Sequence, residues 1–179
     1  MYFFLWGCPF PRGVQEEFRT DSSRLQPEDK GMFLRLISFF MSFHRHLYMV
    51  DTKHASTGGH GGGGVPKYEL GHVLETMDIM TFNLILREVE ESIERKNGPR
   101  LAECVSALKE MVQILTILNE SPEQAHQTVA LGLMSTIFYA AEPLDKLQDL
   151  VRQWQPSAHP RSYLCNLIEL VHIVLKALE

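Results

Sequence analysis

An apolar stretch rich in aromatic residues runs from Met32 to Tyr48. Polar residues interrupt it at three- and four-residue steps, at Arg35, Ser38, Ser42 and Arg45. This spacing predicts a helix on which the polar residues form one narrow stripe. Because apolar residues occupy the rest of its circumference, the helix must be covered from several sides. The interruptions are too frequent for a membrane span of about 20 apolar residues, so we expect other protein helices to cover it.

Apolar positions at helical spacing continue along the rest of the chain. They predict further helices at Tyr68 to Lys96, Leu101 to Leu118, Ala125 to Ile137, Leu144 to Trp154 and Ser162 to Leu178. Pro and Gly residues separate these segments, and Gly98 is expected to take a left-handed conformation beyond a helix end. No strand-like alternation of useful length is present. The predicted fold class is therefore all-α, either an irregular stack of antiparallel helix pairs, as in α-solenoids, or a bundle.

Two segments stand outside this helical pattern. Residues 1–26 form a poorly defined N-terminal segment, whose apolar start lacks the basic residues and the cleavage site of a signal peptide. Residues 27–179 form the predicted helical region. Within it, residues 51–66 contain six glycines in seven positions around His60 and are expected to be a flexible loop.

The glycine-rich segment offers little chemistry of its own. It has neither the G-K-[ST] ending of a phosphate-binding loop nor a preceding strand. His54 and His60 have no Cys, Asp or Glu close by that could complete a metal site, and glycine-rich backbone does not preorganise ligands. We therefore expect solvated loop histidines, and no metal or cofactor site.

Composition narrows the range of functions. A chain of 179 residues is expected to form one domain. Its net charge of −5 disfavours strong binding of nucleic acid by this chain alone, because such binding comes from Lys and Arg at phosphates. Cys8, Cys104 and Cys165 are widely spaced without a C-x-x-C pair, which suggests neither a disulfide framework nor a zinc site. No local signature of a catalytic nucleophile, metalloprotease or calcium loop appears, so no catalytic residue is predicted.

The last helix carries the candidate binding residues. Its apolar stripe continues to the chain end without a capping residue, so part of it is expected to remain open for a partner helix or for further chain. The predicted partner-binding residues are Leu164, Leu167, Ile168, Val171, Leu175 and Leu178.

Four segments together resemble the Timeless family. They are F-F-M-S-F-H-R at 39–45, E-x-x-x-x-x-T-F at 75–82, I-F-Y at 137–139 and P-R-S-Y-L-C-N-L-I-E-L-V-H-I-V-L-K-A-L-E at 160–179. The last segment is the most specific, because its order of residues is more than amphipathicity requires. The resemblance covers the chain from about Val14 onward and suggests the central portion of such a protein, or a truncated gene model.

The resemblance implies an α-solenoid of armadillo/HEAT type without enzymatic activity, located in the nucleus. Members of the family form a fork-protection complex with a Tipin-like small subunit and associate with replicative helicase and polymerase components. They support checkpoint signalling and cohesion, and any DNA contact of this portion is expected through the complex; no membrane association is implied. Two alternatives stay open, namely a circadian Timeless-type regulator and a generic helical-repeat adaptor for an amphipathic helix.

Overall fold

The computed structural model describes residues 26–57, 68, 70–74, 76–138 and 141–178. All regular structure in these ranges is helical, which confirms the all-α prediction and the helical stack. The helices are α1 (Pro27–Thr57), α2 (Gly71–Leu74), α3 (Ile79–Glu94), α4 (Gly98–Asn119), α5 (Gln124–Phe138), α6 (Ala141–Arg152) and α7 (Arg161–Leu178).

The segment predicted as one helix from Tyr68 to Lys96 is divided into α2 and α3. Asp78 starts α3 as its N-cap, and its carboxylate accepts hydrogen bonds from the backbone N and the Oγ1 of Thr81, each at 2.8 Å. Because a side-chain acceptor satisfies the first free N–H groups of a helix, this cap fixes a new helix start. The helical phase changes at that point, so Met80 is exposed while Phe82 and Ile85 are buried.

The turn between α3 and α4 differs from the prediction for Gly98. Lys96, not Gly98, takes the positive φ, at 53°. The N–H groups of Lys96 and Asn97 donate to the carbonyls of Ile93 and Ser92, which closes α3 in the way typical of a left-handed C-terminal residue. Gly98 is needed for space instead, because a Cβ there would lie 2.9 Å from the carbonyl oxygen of Ala158.

Helix α4 is the centre of the described fold. It contacts α1, α3, α5 and α7. Its predicted apolar stripe is confirmed, since every member is buried: Leu101, Cys104, Val105, Leu108, Val112, Leu115 and Leu118. Ala107, Met111 and Ile114 are buried as well, so α4 is enclosed on more than one face. This helix, and not the aromatic one, is the element around which the others pack.

Helix α1 lies at the edge of the stack. Phe33, Leu34, Ile37 and Met41 enter the core, and Phe40 is only half-buried. Phe39, on the opposite side, is 66% exposed. The expectation that α1 is covered from several sides is therefore wrong for the described residues, because its neighbours pack against its core-facing and polar sides only.

Three helices run parallel in one layer. The pairs Arg35–Glu103, Ser38–Ser106 and Arg45–Glu110 advance in the same direction along α1 and α4. The pairs Lys109–Asn166 and Gln113–Glu169 do the same along α4 and α7. Consecutive helices α3 and α4 are antiparallel, since Glu88 of α3 reaches Arg100 near the start of α4. Antiparallel connections thus return the chain so that every third helix shares one direction.

The first seven residues of the predicted loop at 51–66 are helical. Residues 51–57 continue α1, because D-T-K-H-A-S-T contains no helix breaker, and the Oγ1 of Thr52 donates to the carbonyl of Tyr48 at 2.8 Å. Residues 58–66 lie outside the described residues, as do residues 1–25. Tyr68 returns the chain to α1: its backbone N–H donates to Asp51 Oδ2 at 2.8 Å, and its hydroxyl bonds to His44 Nδ1.

Candidate protein-binding surface

The predicted partner-binding residues of α7 fall into distinct environments. Ile168 and Leu175 are 56% and 57% exposed, whereas Leu164 and Val171 are half-buried. Leu167 is fully buried in the core, so it is not available to a partner. The side chain of Leu178 lies outside the described part of the structure. The open part of the stripe is therefore carried by Ile168 and Leu175, with Leu164 and Val171 at its edge.

A groove of about 710 Å³ crosses the parallel layer of α1, α4 and α7. Its floor is formed by Ala102, Glu103, Ser106 and Glu110 of α4. The α1 wall includes Phe39 and Phe43, whose rings stack with centroids 6.0 Å apart, and the α7 wall includes Tyr163 and Asn166. Small and polar residues make the floor, while aromatic residues stand on both walls. Such a mixture suits a polypeptide segment with both apolar and polar side chains.

A buried ionic network holds the three helices of the layer together. Glu110 is 4% exposed and receives hydrogen bonds from Arg45 of α1, with Arg45 Nε 2.9 Å from Glu110 Oε2. Lys109 Nζ lies 3.0 Å from Glu110 Oε1, 3.1 Å from Asn166 Oδ1 and 3.3 Å from Glu169 Oε2. A buried carboxylate is tolerated only when it is paired and hydrogen-bonded, and Glu110 meets this condition. The network thus fixes α1 and α7 against α4.

A second set of ion pairs joins the starts of α1 and α4 to α3. Lys30 Nζ lies 2.8 Å from Glu88 Oε2 and 3.2 Å from Glu91 Oε2. Arg100 pairs with Glu103 at 2.8 Å, and its guanidinium also donates to the carbonyl of Pro27. Most of these side chains are only slightly exposed, so salt screens them less than it screens surface pairs. Two acidic residues of α3, Glu88 and Glu91, therefore form ion pairs inside the stack.

Burial decides the protonation of two groups near the core. Desolvation raises the pKa of the Cys104 thiol to about 12, and the nearby carboxylate of Glu88 acts in the same direction. Desolvation likewise raises the pKa of Tyr163 to about 12. A thiol must lose its proton to act as a nucleophile or a metal ligand. The role of Cys104 is therefore to pack in the core. With pKa values of about 12, neither Cys104 nor Tyr163 is suited to general acid–base catalysis near neutral pH.

Among the side chains that the structure describes, no group of three or more His, Cys, Asp or Glu residues comes together as potential ligands. None of the described helices combines the length and the apolar character needed to cross a membrane. The chemistry on the described surface is that of apolar contact, hydrogen bonding and ion pairing.

Two features of this surface were not predicted from the sequence. One is the outward apolar face of α1, which includes Met32, Leu36 and Phe39. The other is the pairing of the polar stripe of α1 with α4. The sequence did contain a signal for this pairing. Glu103, Ser106 and Glu110 on α4 follow one another at steps of three and four residues, as the polar residues of α1 do. The charged residues are glutamates on α4 and arginines on α1. Complementary stripes at helical spacing indicate two helices that face each other.

Over most of its length the chain is similar to Timeless proteins. It is 28% identical to Protein timeless homolog of Mus musculus over 187 aligned residues, which cover 98% of this chain and 14% of that protein. It is 27% identical to Protein timeless homolog of Homo sapiens over 165 residues, covering 87% of this chain and 12% of that protein. These matches confirm the resemblance to the Timeless family that the four sequence segments indicated.

Fungal proteins with a different name are also similar. Topoisomerase 1-associated factor 1 of Yarrowia lipolytica is 22% identical over 111 residues, which cover 62% of this chain and 10% of that protein. No protein-family model matches the chain. The chain spans only about one seventh, or less, of the length of each of these three relatives.

Proposed function

From the homology of this chain to the Timeless proteins, we propose that it is a non-catalytic scaffold segment of a replication fork-protection complex. The observation that carries the proposal is the match to the mouse Timeless homolog along 98% of the chain. In this role the segment supports fork stability, checkpoint signalling and cohesion in the nucleus by holding other subunits, and it performs no reaction itself.

The architecture proposed for this role is an α-solenoid of armadillo/HEAT type. Its support is the parallel layer of α1, α4 and α7, in which every third helix takes the same place and direction. Stacked units of this kind build an extended surface that suits the binding of long partner segments. The groove across the layer, with its aromatic walls, is part of such a surface.

The partner proposed for α7 is an amphipathic helix of a Tipin-like small subunit. Ile168 and Leu175 are seven residues apart and both more than half exposed, so they present apolar side chains along about two turns of helix. Exposed apolar residues in a row usually mark a binding site. Helicase and polymerase components are proposed to join through the complex, as is any contact with DNA, since the chain itself has a net charge of −5.

A binding experiment with purified proteins tests this assignment. The Tipin-like subunit should form a stable complex with the chain and raise its melting temperature. At a hundredfold excess over Kd, binding should increase the free energy of unfolding by about 2.7 kcal/mol. Leu175→Glu and Ile168→Glu should each weaken binding at least tenfold. Leu131→Glu, which alters an equally exposed apolar residue on α5, is the matched control and should bind normally.

Three outcomes argue against the proposal. A chain indifferent to the Tipin-like subunit would contradict the fork-protection role of this segment. Equal losses from Leu175→Glu and Leu131→Glu would contradict the α7 site while leaving the role intact. Recovery of unrelated cytosolic proteins from a pull-down, without helicase subunits, would favour the generic adaptor. Because two relatives are named Topoisomerase 1-associated factor 1, topoisomerase 1 belongs among the proteins tested for recovery.

A further inference from the structure

Helix α1 has a second apolar face opposite to the one that enters the core. Met32, Leu36, Phe39 and Val50 are 54%, 43%, 66% and 36% exposed, and Phe43 is half-buried among them. These five residues, called here the outer stripe, follow one another at intervals of four, three, four and seven. Intervals of three and four keep side chains on one side of a helix, as in the contact seam of a coiled coil. The outer stripe extends for about 27 Å, from 18 residues at 1.5 Å each.

We propose that the outer stripe binds the same stripe of a second copy of this chain in antiparallel orientation. Each end of the stripe carries exposed charges of one sign. Glu28 and Asp29 precede it, whereas Lys53 follows it. In an antiparallel pair the acidic end of one copy meets the basic end of the other. A parallel pair would place Asp29 against Asp29 and Lys53 against Lys53, which like charges oppose.

The residue register supports a twofold axis near Met41. An antiparallel pairing centred there places Phe39 against Phe43 of the second copy, and Leu36 against His46 of the second copy. Met32 then meets Val50 of the second copy, and Asp29 meets Lys53 of the second copy. Apolar and aromatic contacts thus fill the middle layers, and opposite charges close both ends. A surface that is complementary to itself after a twofold rotation is what a symmetric dimer requires.

The proposed interface is small. One face of one helix offers less than the roughly 800 Å² per partner of a standard stable complex. The dimer should therefore be reversible and depend on protein concentration. It shares Phe39 and Phe43 with the groove across the parallel layer. It does not use Ile168 or Leu175 on α7, so the dimer and the α7 site can each fail without the other.

Sedimentation of the full chain over a wide range of concentrations tests the dimer. The average mass should rise from 20.5 kDa towards twice that value as concentration increases. Phe39→Glu should weaken dimerisation at least tenfold, because it puts two charges into the central layers, and it should retain the helical circular dichroism of the parent. Leu131→Glu, at an exposed apolar position on α5, is the matched control and should dimerise like the parent chain.

Charge reversal tests the orientation. Asp29→Lys and Lys53→Asp should each weaken the dimer, since each places like charges together at both ends, and the double variant should restore it. A chain that stays monomeric at all concentrations overturns the proposal; the stripe would then be covered within the same chain, for example by residues 1–25. Failure of the double variant to recover dimerisation, or an equal effect of Phe39→Glu and Leu131→Glu, overturns it as well.

Discussion

At the level of single residues, the two arginines of the α1 polar stripe differ in how deeply their ion pairs are buried. Arg45 binds Glu110, whose side chain is 6% exposed. Arg35 binds Glu103, but the Arg35 side chain is itself 64% exposed. Of two arginines on the same stripe, Arg45 therefore forms a largely buried ion pair and Arg35 forms a largely exposed one.

Replacing each arginine by methionine should separate these roles. Arg45→Met should lower the free energy of unfolding by about 1 to 3 kcal/mol, because it removes a charged hydrogen-bond partner from a buried carboxylate. Arg35→Met should lower it by less than about 1 kcal/mol, since exposed ion pairs contribute little. Urea unfolding of both variants gives the comparison. Similar losses of unfolding free energy in the two variants would mean that the buried Glu110 carboxylate does not need Arg45 as its partner.

Cys104 should make the fold sensitive to alkaline pH. Its pKa is about 12 in the folded chain, against an ordinary value of 9.0. Below pH 9 the thiol keeps its proton in both states, so its contribution to stability is fully present. Between pH 9 and about pH 12 the unfolded thiol ionises and the folded one does not, so the free energy of unfolding falls by up to about 1.4 kcal/mol per pH unit.

The difference in stability between the parent and Cys104→Ala measures this effect. At pH 8 the variant should be less stable by a packing term only, and the gap should narrow as pH rises from 9 to 10.5. Cys165→Ala, at an exposed thiol, is the control for replacing a cysteine outside the core. Tyr163, with an ordinary value of 10.0 and a folded pKa of about 12, should cause a further loss above pH 10 in every variant.

At the scale of elements, the end of α1 is tied to the segment that follows the glycine-rich stretch. Tyr68 bonds to α1 at both Asp51 and His44. Asp51 lies six residues, or about 9 Å, before the end of the helix at Thr57. Tyr68 is therefore held beside α1, near the end of that helix.

Deleting Gly58 to Gly64 should leave helical content and melting temperature nearly unchanged. The three residues left between Thr57 and Tyr68 span about 14 Å in extended form, enough for the distance, and loop closure depends only weakly on length. Thermal unfolding followed by circular dichroism measures this. Asp51→Ala should lower stability by about 1 kcal/mol with or without the deletion. A large loss of helix on deletion would show that the glycine-rich stretch is more than a spacer.

At the scale of the whole molecule, the described stack depends on one central helix. Because α4 contacts α1, α3, α5 and α7, a defect in its core reaches all of them. The ionic network around Glu110 adds a second, polar connection across α1, α4 and α7. Such an arrangement predicts that these helices unfold together.

Leu115→Ala tests this cooperativity. Leu115 is fully buried in α4, so its truncation should lower the free energy of unfolding by about 2 to 5 kcal/mol through lost contact and the cavity left behind. Circular dichroism and tryptophan fluorescence should give coincident transitions for the parent and the variant. Leu131→Ala, at an exposed position on α5, should change stability by less than about 0.5 kcal/mol. Separate transitions would mean that α4 does not unify the stack.

The helical class, the main breaks and the buried stripe of α4 could be predicted from the amino-acid pattern alone. These depend on local properties: the 3.6-residue period of apolar positions, and the inability of Pro and Gly to continue a helix. The same local information did not reveal that Asp78 starts a new helix within a continuous apolar pattern, because a cap competes with the pattern only once its hydrogen bonds form.

Which sides of α1 are covered, and which residues of α7 remain open, could not be predicted in this way. Arg45 and Glu110 are 65 positions apart, and Leu167 is buried while Ile168 beside it is exposed. The period of apolar residues shows that one face of a helix is apolar, but not how many other helices will pack against that face. That number depends on how helices distant in sequence pack against each other. The apolar composition of α1 suggested a central position for α1, but in the structure α4 is the central helix.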